Sequence, residues 1–375
     1  MNPAISVLVP IYNVQDYLHE CLGSLAAQDM SDVEFICIND GSTDGSRDII
    51  QEFLDKDSRF TVIDKENSGY GASMNRGLEK AKGEFIAILE SDDFMEPNAL
   101  NVLHNAIVDS GADVVKANFW MYWSKPNKRN EFFEVMPRKK TASLIDPSVD
   151  PEIFYTKPSI WSAMYRKSFL DEKQISFLET PGASFQDMSF TFKVWASTKK
   201  VYFIYDALVH YRQDNENSSV NSPAKVDALF NEYAEITRWL SHDREKTAIF
   251  SPVKAKMLYD ALIWNYERVA EENKLTILDN GRTILLNEFT AGHVDIRLFE
   301  PWKLQDMRTI LLSPEYYHRS RSRGESFSHR VGRILQDSGF VGFAVFAIRK
   351  LAKKITGVIR SWRSFAKCPT GNTES

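Results

Sequence analysis

The first 120 residues alternate between short apolar runs and amphipathic segments, and this alternation constrains the fold more than any other feature of the chain. The apolar runs predict five strands, at residues 5–10, 33–40, 60–64, 85–90 and 112–120. Apolar residues at helical spacing predict a helix after each of the first four strands. Strands that alternate with helices usually form a mostly parallel sheet covered by helices, so the sequence predicts an α/β fold.

The pattern changes twice beyond the fifth predicted strand, which divides the chain into three predicted parts. Residues 1–221 are expected to form the α/β domain, with an irregular second half. Two long helical patterns, near 224–241 and 252–273, predict a helical appendage over residues 222–317. Residues 318–375 are expected to form a basic linker and an amphipathic C-terminal helix.

Charge is distributed unevenly along the chain. The formal net charge is −5, yet residues 319–367 carry 12 Lys and Arg against two acidic residues. The main body is therefore acidic, which argues against nucleic acid as a partner. Within residues 340–367, apolar and basic side chains separate at helical spacing, and the apolar run at 340–348 is too short to span a bilayer. This pattern fits a helix lying on an anionic membrane surface, and it also fits a helix that docks on protein.

The cysteines and the first residues bear on the cellular compartment. The three cysteines are odd in number and widely spaced, so they predict neither a disulfide framework nor a paired metal site. Residues 1–13 have no basic segment, and Pro10 interrupts their apolar run, as expected for a first strand rather than a signal peptide. We therefore expect a cytoplasmic protein, peripheral on the inner face of the cell membrane where its last helix binds lipid.

Four polar motifs follow the first four predicted strands, at the edge where open α/β sheets bind ligands. They are PIYN at 10–13, NDGSTD at 39–44, NSGYGASMNRG at 67–77 and ESDD at 90–93. The three carboxylates of the last motif repel one another unless a cation lies among them. Divalent cations such as Mg²⁺ and Mn²⁺ prefer oxygen ligands of this kind. The chain lacks the G-x-x-x-x-G-K-[ST] motif, which excludes a P-loop nucleotidase.

Taken together and in this order, the four motifs resemble those of family 2 glycosyltransferases. The resemblance covers about residues 5–219 and implies the GT-A fold, which is Rossmann-like, with a mostly parallel sheet and flanking helices. It also implies a metal-dependent, inverting transfer of a sugar from a UDP-sugar to a glycan or lipid-linked glycan in bacterial surface-polysaccharide synthesis. A sugar-nucleotide pyrophosphorylase has a related architecture, but the loop PIYNVQDYL lacks the glycines and basic residues which that enzyme would need.

The resemblance implies a donor site at the ends of the first four strands, with Mn²⁺ or Mg²⁺ as cofactor. Asp40 would accept a hydrogen bond from the uracil imide, and Asp92 would bind the metal ion that bridges the diphosphate. His210 would be a second metal ligand, and Glu90 departs from the aspartate usual at its position. The residues expected to bind the nucleotide sugar are Pro10, Tyr12, Asn13, Asp40, Gly71, Asn75, Glu90, Ser91, Asp92 and Arg212.

The resemblance implies a catalytic base at Asp187, which would deprotonate the acceptor hydroxyl. The family often has an acid immediately before this position, where this chain has Gln186. The alternative is that Asp187 only caps its helix and that the chain is a non-catalytic nucleotide-sugar-binding module. Trp161 and Tyr165 are expected either to form an aromatic platform for the acceptor or to pack in the core.

Overall fold

The computed structural model describes residues 2–215 and 226–322 of the 375-residue chain. It divides the chain into two compact units, Met1–Asn273 and Lys274–Ser375. The division falls at residue 273 rather than at the expected 221, so the first two helices of the expected appendage belong to the unit that contains the sheet. The amphipathic segment at 340–367 lies outside the described residues.

The first unit is built around one mixed sheet, which has ten strands among the described residues. The strands are β1 Ile5–Ile11, β2 Val33–Asn39, β3 Phe60–Asp64, β4 Phe85–Ile88, β5 Phe94–Met95, β6 Val114–Trp123, β7 Arg129–Phe133, β8 Leu144–Ile145, β9 Ala163–Arg166 and β10 Val201–Arg212. The spatial order is β3-β2-β1-β4-β9-β6-β10-β5, and β7 pairs with β6 while β8 pairs with β10. Four of the neighbouring pairs are parallel: β1 with β2, β2 with β3, β1 with β4, and β6 with β10.

Helices flank the sheet and make up the second unit. The helices of the first unit are α1 Gln15–Ala26, α2 Ser46–Lys56, α3 Tyr70–Lys80, α4 Ala99–Ser110, α5 Lys167–Glu172, α6 Gln186–Trp195, α7 Val226–Leu240 and α8 Arg244–Arg268. Those described in the second unit are α9 Lys274–Thr290, α10 Pro301–Leu312 and α11 Pro314–Ser322. Within the described ranges, no helix combines the length and the apolar character that crossing a bilayer requires.

Helix α8 begins eight residues before Pro252, the residue at which the sequence pattern predicts its start. The carboxylate of Asp243 caps the helix by accepting a hydrogen bond of 3.0 Å from the backbone N–H of Lys246. This cap fixes the first turn upstream of the proline, which is then accommodated inside the helix.

The central strands β1 and β4 are buried along their whole length, as expected for parallel strands covered on both faces. They run in the same direction and in register, with Ile5 opposite Phe85 and Leu8 opposite Ile88. Strand β2 lies parallel on the other side of β1, and β3 lies parallel beside β2. The segments that follow these four strands therefore meet at one edge of the sheet, and this edge carries all four predicted motifs.

Candidate active site

The acidic turn that follows β4 is held by two hydrogen bonds from other parts of the fold. The hydroxyl of Tyr70, at the start of α3, donates to Glu90 Oε1 at 2.7 Å. The side-chain amide of Asn215 donates to Asp92 Oδ2 at 2.8 Å. The third carboxylate, Asp93, is only 1% exposed, and within the described part of the chain its Oδ2 has no hydrogen-bond partner. The turn therefore collects three carboxylates, of which Asp93 is buried while Glu90 and Asp92 are partly exposed.

Burial makes these carboxylates hard to ionise without a cation. It raises the pKa of Glu90 to about 8, and the charges of Asp92 and Asp187 add to the effect. Burial also raises the pKa of Asp92, although the hydrogen bond from Asn215 opposes the change. Burial and the charge of Asp92 together raise the pKa of Asp93 well above its usual range. A divalent cation at this turn would relieve the repulsion, and its preferred ligands are oxygens of this kind.

Asp187 lies in the first turn of α6, and its charge reaches the acidic turn. The carboxylate contributes to the raised pKa of Glu90. The segment before α6 also contacts the residue that holds Glu90, because the carbonyl oxygen of Gly182 accepts a 2.9 Å hydrogen bond from the Tyr70 backbone N–H. Burial raises the pKa of Asp187 itself to about 6. The preceding residue Gln186 is buried, and its side-chain amide donates a 3.0 Å hydrogen bond to the hydroxyl of Thr180. Among the two residues, Asp187 alone can therefore act as a proton acceptor.

Two lysines lower the pKa of the Asp187 carboxyl group, the buried Lys116 and the exposed Lys157. The Lys157 ammonium lies 4.5 Å from the centroid of the Tyr211 ring, and desolvation by the surrounding protein lowers its pKa. The Lys116 ammonium donates to the carbonyl oxygen of Ser159 at 2.6 Å, and burial lowers its pKa to about 7. Asp187 is therefore influenced by two amines, of which Lys116 is only partly protonated at pH 7.

The comparisons with known proteins identify the family to which this arrangement belongs. The model of the family described as Glycosyl transferase family 2 matches residues 6–171. GlyG, a glycosyltransferase of Streptococcus pneumoniae serotype 4, is 33% identical over 221 residues, which are 57% of this chain and 72% of GlyG. The chain belongs to glycosyltransferase family 2. The predicted family and the predicted transferase class are thereby confirmed.

Further similarities extend to a second relative and to solved structures. EpsH of Bacillus subtilis is 33% identical over 214 residues, which are 56% of this chain but only 61% of EpsH. Residues 1–349 of S. aureus TarS, solved in complex with UDP-GlcNAc, give a TM-score of 0.63 at 21% identity over 86% of this chain and 93% of that chain. At this identity the likeness shows the fold alone, and it confirms the predicted GT-A architecture of this family 2 member.

Arg212, expected to pair with phosphate, instead supports the acidic turn of this family 2 chain. Its backbone N–H donates to Asp93 Oδ1 at 2.7 Å, and its Nε donates to the carbonyl oxygen of Asp92 at 2.8 Å. The guanidinium also forms an ion pair with Glu20 and lies 4.7 Å from the centroid of the Tyr17 ring. Because the side chain is 2% exposed and paired with Glu20, Arg212 positions the turn, and the function proposed below gives it no contact with the donor.

His210, expected to be a second metal ligand, is enclosed by protein partners. Its Nε2 lies 2.9 Å from Glu96 Oε1, and its Nδ1 lies 3.0 Å from Asn130 Oδ1. The imidazole also stacks on the ring of Phe94, with the centroids 4.3 Å apart. Since both ring nitrogens are hydrogen-bonded, His210 is likewise not included in the proposed metal site.

The PIYN motif, expected to bind the nucleotide sugar, spans the end of β1 and the start of the loop that follows it. Pro10 is buried in β1, whereas Tyr12 is 51% exposed and has its ring accessible to a ligand. Asn13 has a left-handed backbone conformation, with φ of 48°, and its Oδ1 accepts a 2.8 Å hydrogen bond from the backbone N–H of Thr43. Asn13 thus joins the loop after β1 to the loop after β2 by a hydrogen bond. This role cannot be inferred from its position in the sequence.

Asp40 is buried, and in this structure it holds the glycine-rich loop rather than facing open space. Its two carboxylate oxygens accept hydrogen bonds of 3.0 Å from the backbone N–H groups of Ser68 and Gly69. It also forms an ion pair with Lys65. A uracil imide would have to replace one of these partners, so the contact between Asp40 and the base stays a prediction.

Gly71 and Asn75, expected to face the donor, contact a segment about 100 residues downstream. A Cβ atom at Gly71 would lie 2.0 Å from the carbonyl oxygen of Leu178, so only glycine admits this backbone. The Asn75 amide donates to the carbonyl oxygen of Phe177 at 3.0 Å and to Glu179 Oε1 at 2.9 Å. Both residues therefore fix the segment that leads to α6 and hence the position of the candidate base.

Trp161 and Tyr165 are core residues, which decides between their two predicted roles. Trp161 is buried and stacks on Tyr211, with ring centroids 4.8 Å apart. Tyr165 is buried too, and its hydroxyl donates to the carbonyl oxygen of Ile160 at 3.0 Å. Neither ring offers a face to a sugar.

Four residues of the site were not predicted from the sequence: Tyr70, Lys116, Lys157 and Asn215. Lys116 could have been predicted, because it interrupts a mostly apolar strand and a buried lysine needs hydrogen-bond acceptors. The other three lie in loops or at a helix start, where residue type and spacing do not indicate which side chains converge. Ser91 lies between the acidic residues and is partly exposed.

Proposed function

We propose that this chain is a metal-dependent, inverting glycosyltransferase that transfers a sugar from a UDP-sugar to a hydroxyl group of a glycan or lipid-linked glycan in surface-polysaccharide synthesis. The observation that carries the proposal is the link through Tyr70, whose hydroxyl donates to Glu90 Oε1 at 2.7 Å and whose backbone N–H donates to the carbonyl oxygen of Gly182, five residues before Asp187, at 2.9 Å. This link supports a position for the candidate base near the acidic turn, where the donor diphosphate is expected. The direct test is release of UDP from a panel of UDP-sugars in the presence of Mn²⁺, with and without an acceptor glycoside.

The carboxylate side chains of the acidic turn suit a divalent cation. Asp93 Oδ2 is buried without a partner in the described part of the chain, and the carboxylates raise one another's pKa. Among the described residues no group of three potential ligands is preassembled. Mg²⁺ and Mn²⁺ at such sites usually bind one or two carboxylates together with substrate phosphates. Asp92 would hold the cation, which when bound would stabilise the departing diphosphate.

Two solved structures with this fold support the donor and the metal. TarS of S. aureus was solved with UDP and with UDP-GlcNAc. A mannosyltransferase from Pyrobaculum calidifontis, with a TM-score of 0.50 and 15% identity, was solved with GDP-Man and Mn²⁺. A poly(ribitol-phosphate) beta-glucosyltransferase of Bacillus spizizenii, 30% identical over 222 residues that are 33% of its length, supports a polymer as acceptor. We favour UDP because the carboxylate of Asp40 suits a uracil imide once Lys65 or a backbone partner yields.

The proposed mechanism assigns each protein group a task. Asp187 accepts the proton of the acceptor hydroxyl, which then displaces the nucleotide in a single step. A single displacement needs one base and no enzyme nucleophile, and the neutral Gln186 leaves Asp187 as the base. Tyr70 and Asn215 orient Glu90 and Asp92 towards the donor. Inversion at the anomeric carbon follows from this one displacement.

Lys157→Met is expected to move the acid limb of the kcat/KM profile to higher pH. The Lys157 ammonium favours the ionised form of Asp187, and methionine keeps the length of the side chain but removes its charge. The pKa of the base then rises, so activity should fall more at about pH 5.5 than at about pH 8. Lys157→Arg keeps the cation and serves as the control. An equal loss at both pH values would show that Lys157 acts only through packing.

The C-terminal segment is proposed to attach the enzyme to an anionic membrane surface. The test compares binding to vesicles that contain phosphatidylglycerol by the full chain and by a full-length variant in which Lys350, Lys353 and Lys354 are replaced with Gln. Each lysine is expected to contribute about 1 kcal/mol near the surface, so the variant should bind at least tenfold more weakly. Equal binding would indicate that the segment docks on protein instead.

A further inference from the structure

Two aromatic side chains border the candidate base and remain accessible, unlike Trp161 and Tyr165. Phe185 is partly exposed and precedes Asp187 by two residues. Trp264, on α8, is 45% exposed. Their ring centroids are 6.5 Å apart, and the ring planes meet at 85°. The two rings therefore form an open corner beside the first turn of α6.

A charged side chain lies beside this corner. The Arg268 guanidinium, one helical turn after Trp264, lies 4.1 Å from the centroid of the indole ring. The positive charge of Arg268 also contributes to the lowered pKa of Lys157, and Lys157 in turn lowers the pKa of Asp187. Arg268 therefore contacts the indole and acts on a group that acts on the base.

The backbone at Phe185 gives an independent indication of function. Its φ of 62° lies in the left-handed region, which a bulky residue adopts only when the surroundings hold it there. Glycine would fit this position without strain, as it does at Gly182, whose φ is 77°. A phenylalanine in this conformation, with a partly exposed ring, is difficult to explain by the requirements of the turn alone.

We propose that Phe185 and Trp264 form the platform on which a sugar ring of the acceptor packs, so that its hydroxyl reaches Asp187. The inference rests on the proposed glycosyl transfer and names the acceptor-side residues of that site. A pyranose has an apolar face of C–H groups that matches an exposed indole, and hydroxyl groups at its edge that suit a charged neighbour such as Arg268. The occupant is therefore a saccharide unit of the acceptor.

The size and surroundings of the corner favour a sugar over a protein partner. A stable protein interface buries about 800 Å² on each side, whereas this corner consists of two rings. The next residues on the outer face of α8, Glu267 and Arg268, are exposed and charged. Hydrogen-bonding groups around a small apolar surface are typical of a saccharide site and unlike the apolar centre of a protein interface.

The test measures binding of the full-length protein to an array of immobilised glycans, because the acceptor is unidentified. The variants are Trp264→Ala, Trp264→Phe and Phe185→Gly. Trp264→Ala should weaken binding to the glycans that wild type recognises by at least about tenfold, and Trp264→Phe should restore part of it. Phe185→Gly should weaken binding while the Tm holds or rises, because glycine relieves the backbone strain.

Trp239→Ala is the matched control. Trp239, on α7, also has a cation over its ring, with Lys246 Nζ 4.4 Å from the centroid. It also meets a phenylalanine edge-on, with the centroid of Phe192 at 6.5 Å and an interplanar angle of 89°. Phe192 is near the other end of α6 from Asp187, so Trp239→Ala should bind glycans as wild type does.

Several outcomes would overturn the proposal. The proposal fails if the wild type binds no glycan on the array. It also fails if Trp264→Ala and Phe185→Gly bind glycans as the wild type does. Equal losses in Trp264→Ala and Trp239→Ala would attribute the effect to stability and would equally count against the platform. The proposed transfer is tested separately, by measuring the release of UDP from UDP-sugars by the wild type. Glycan binding that depends on Trp264 without any UDP release would uphold the platform and refute the transfer.

Discussion

Asp187→Asn is expected to lower kcat by about 10²–10⁴-fold, the range that a general base contributes. Asparagine has nearly the same shape as aspartate, so α6 should keep its first turn, but the amide cannot accept the acceptor proton. Because burial raises the pKa of Asp187 to about 6, the wild-type rate should increase as the pH rises through that value and the base ionises. The variant should lose this acid limb. The measurement is UDP release as a function of pH with a UDP-sugar and an acceptor glycoside.

Asp171→Asn provides the control for loss of a carboxylate elsewhere on the same unit. Asp171 is ion-paired with Lys167 at 2.7 Å at the end of α5, so its loss should leave turnover unchanged. A non-catalytic binding module predicts a different result, because it would release no UDP from any donor and would be indifferent to Asp187. Wild-type turnover that survives in Asp187→Asn with the same pH profile would remove Asp187 from the mechanism.

The fold could be predicted largely from the first 120 residues, because its central strands are buried on both faces. Such strands appear in the sequence as mostly apolar runs, and β1, β2 and β4 begin at the predicted residues. The partly exposed strand β3 also begins where predicted. The boundary between the compact units was harder to predict from the sequence. Helices α7 and α8 have helical patterns of the same kind as the later helices, and only packing assigns them to the first unit.

Residues of the candidate site could be predicted where their role follows from their position at the end of a strand. They could not be predicted where their role depends on a partner that is distant in the sequence. The acidic turn stands at the end of β4 because the chain itself places it there. Gly71 and Asn75 meet residues 177–179 only after the chain has folded, and their spacing resembles that of ligand-binding residues. Arg212 looked like an anion-binding residue because a sequence does not reveal that Glu20 already neutralises it.

Asp92→Asn is expected to abolish the effect of Mn²⁺ on UDP binding and to weaken UDP binding in Mn²⁺ by about 100-fold or more. Calorimetry of UDP binding with Mn²⁺ and with a chelator measures both effects. Wild type should bind UDP much more tightly with Mn²⁺, whereas the variant should bind equally weakly in both conditions. The reason is that Asp92 is the carboxylate of the turn which Asn215 orients, and the hydrogen bond from Asn215 opposes the rise that burial causes in its pKa.

Asp93→Asn separates a metal-binding role from general disturbance of the acidic turn. Burial and the charge of Asp92 raise the pKa of Asp93 well above its usual range, which favours the neutral form, and an amide keeps the shape of that form without a charge. The amide oxygen can still accept the hydrogen bond that the Arg212 backbone N–H donates at 2.7 Å. We therefore expect Asp93→Asn to keep the Mn²⁺ dependence that Asp92→Asn loses. If both variants lose it equally, the cation is held by the turn as a whole; if neither does, UDP binds here without a metal ion on Asp92, and the proposed role of the acidic turn fails.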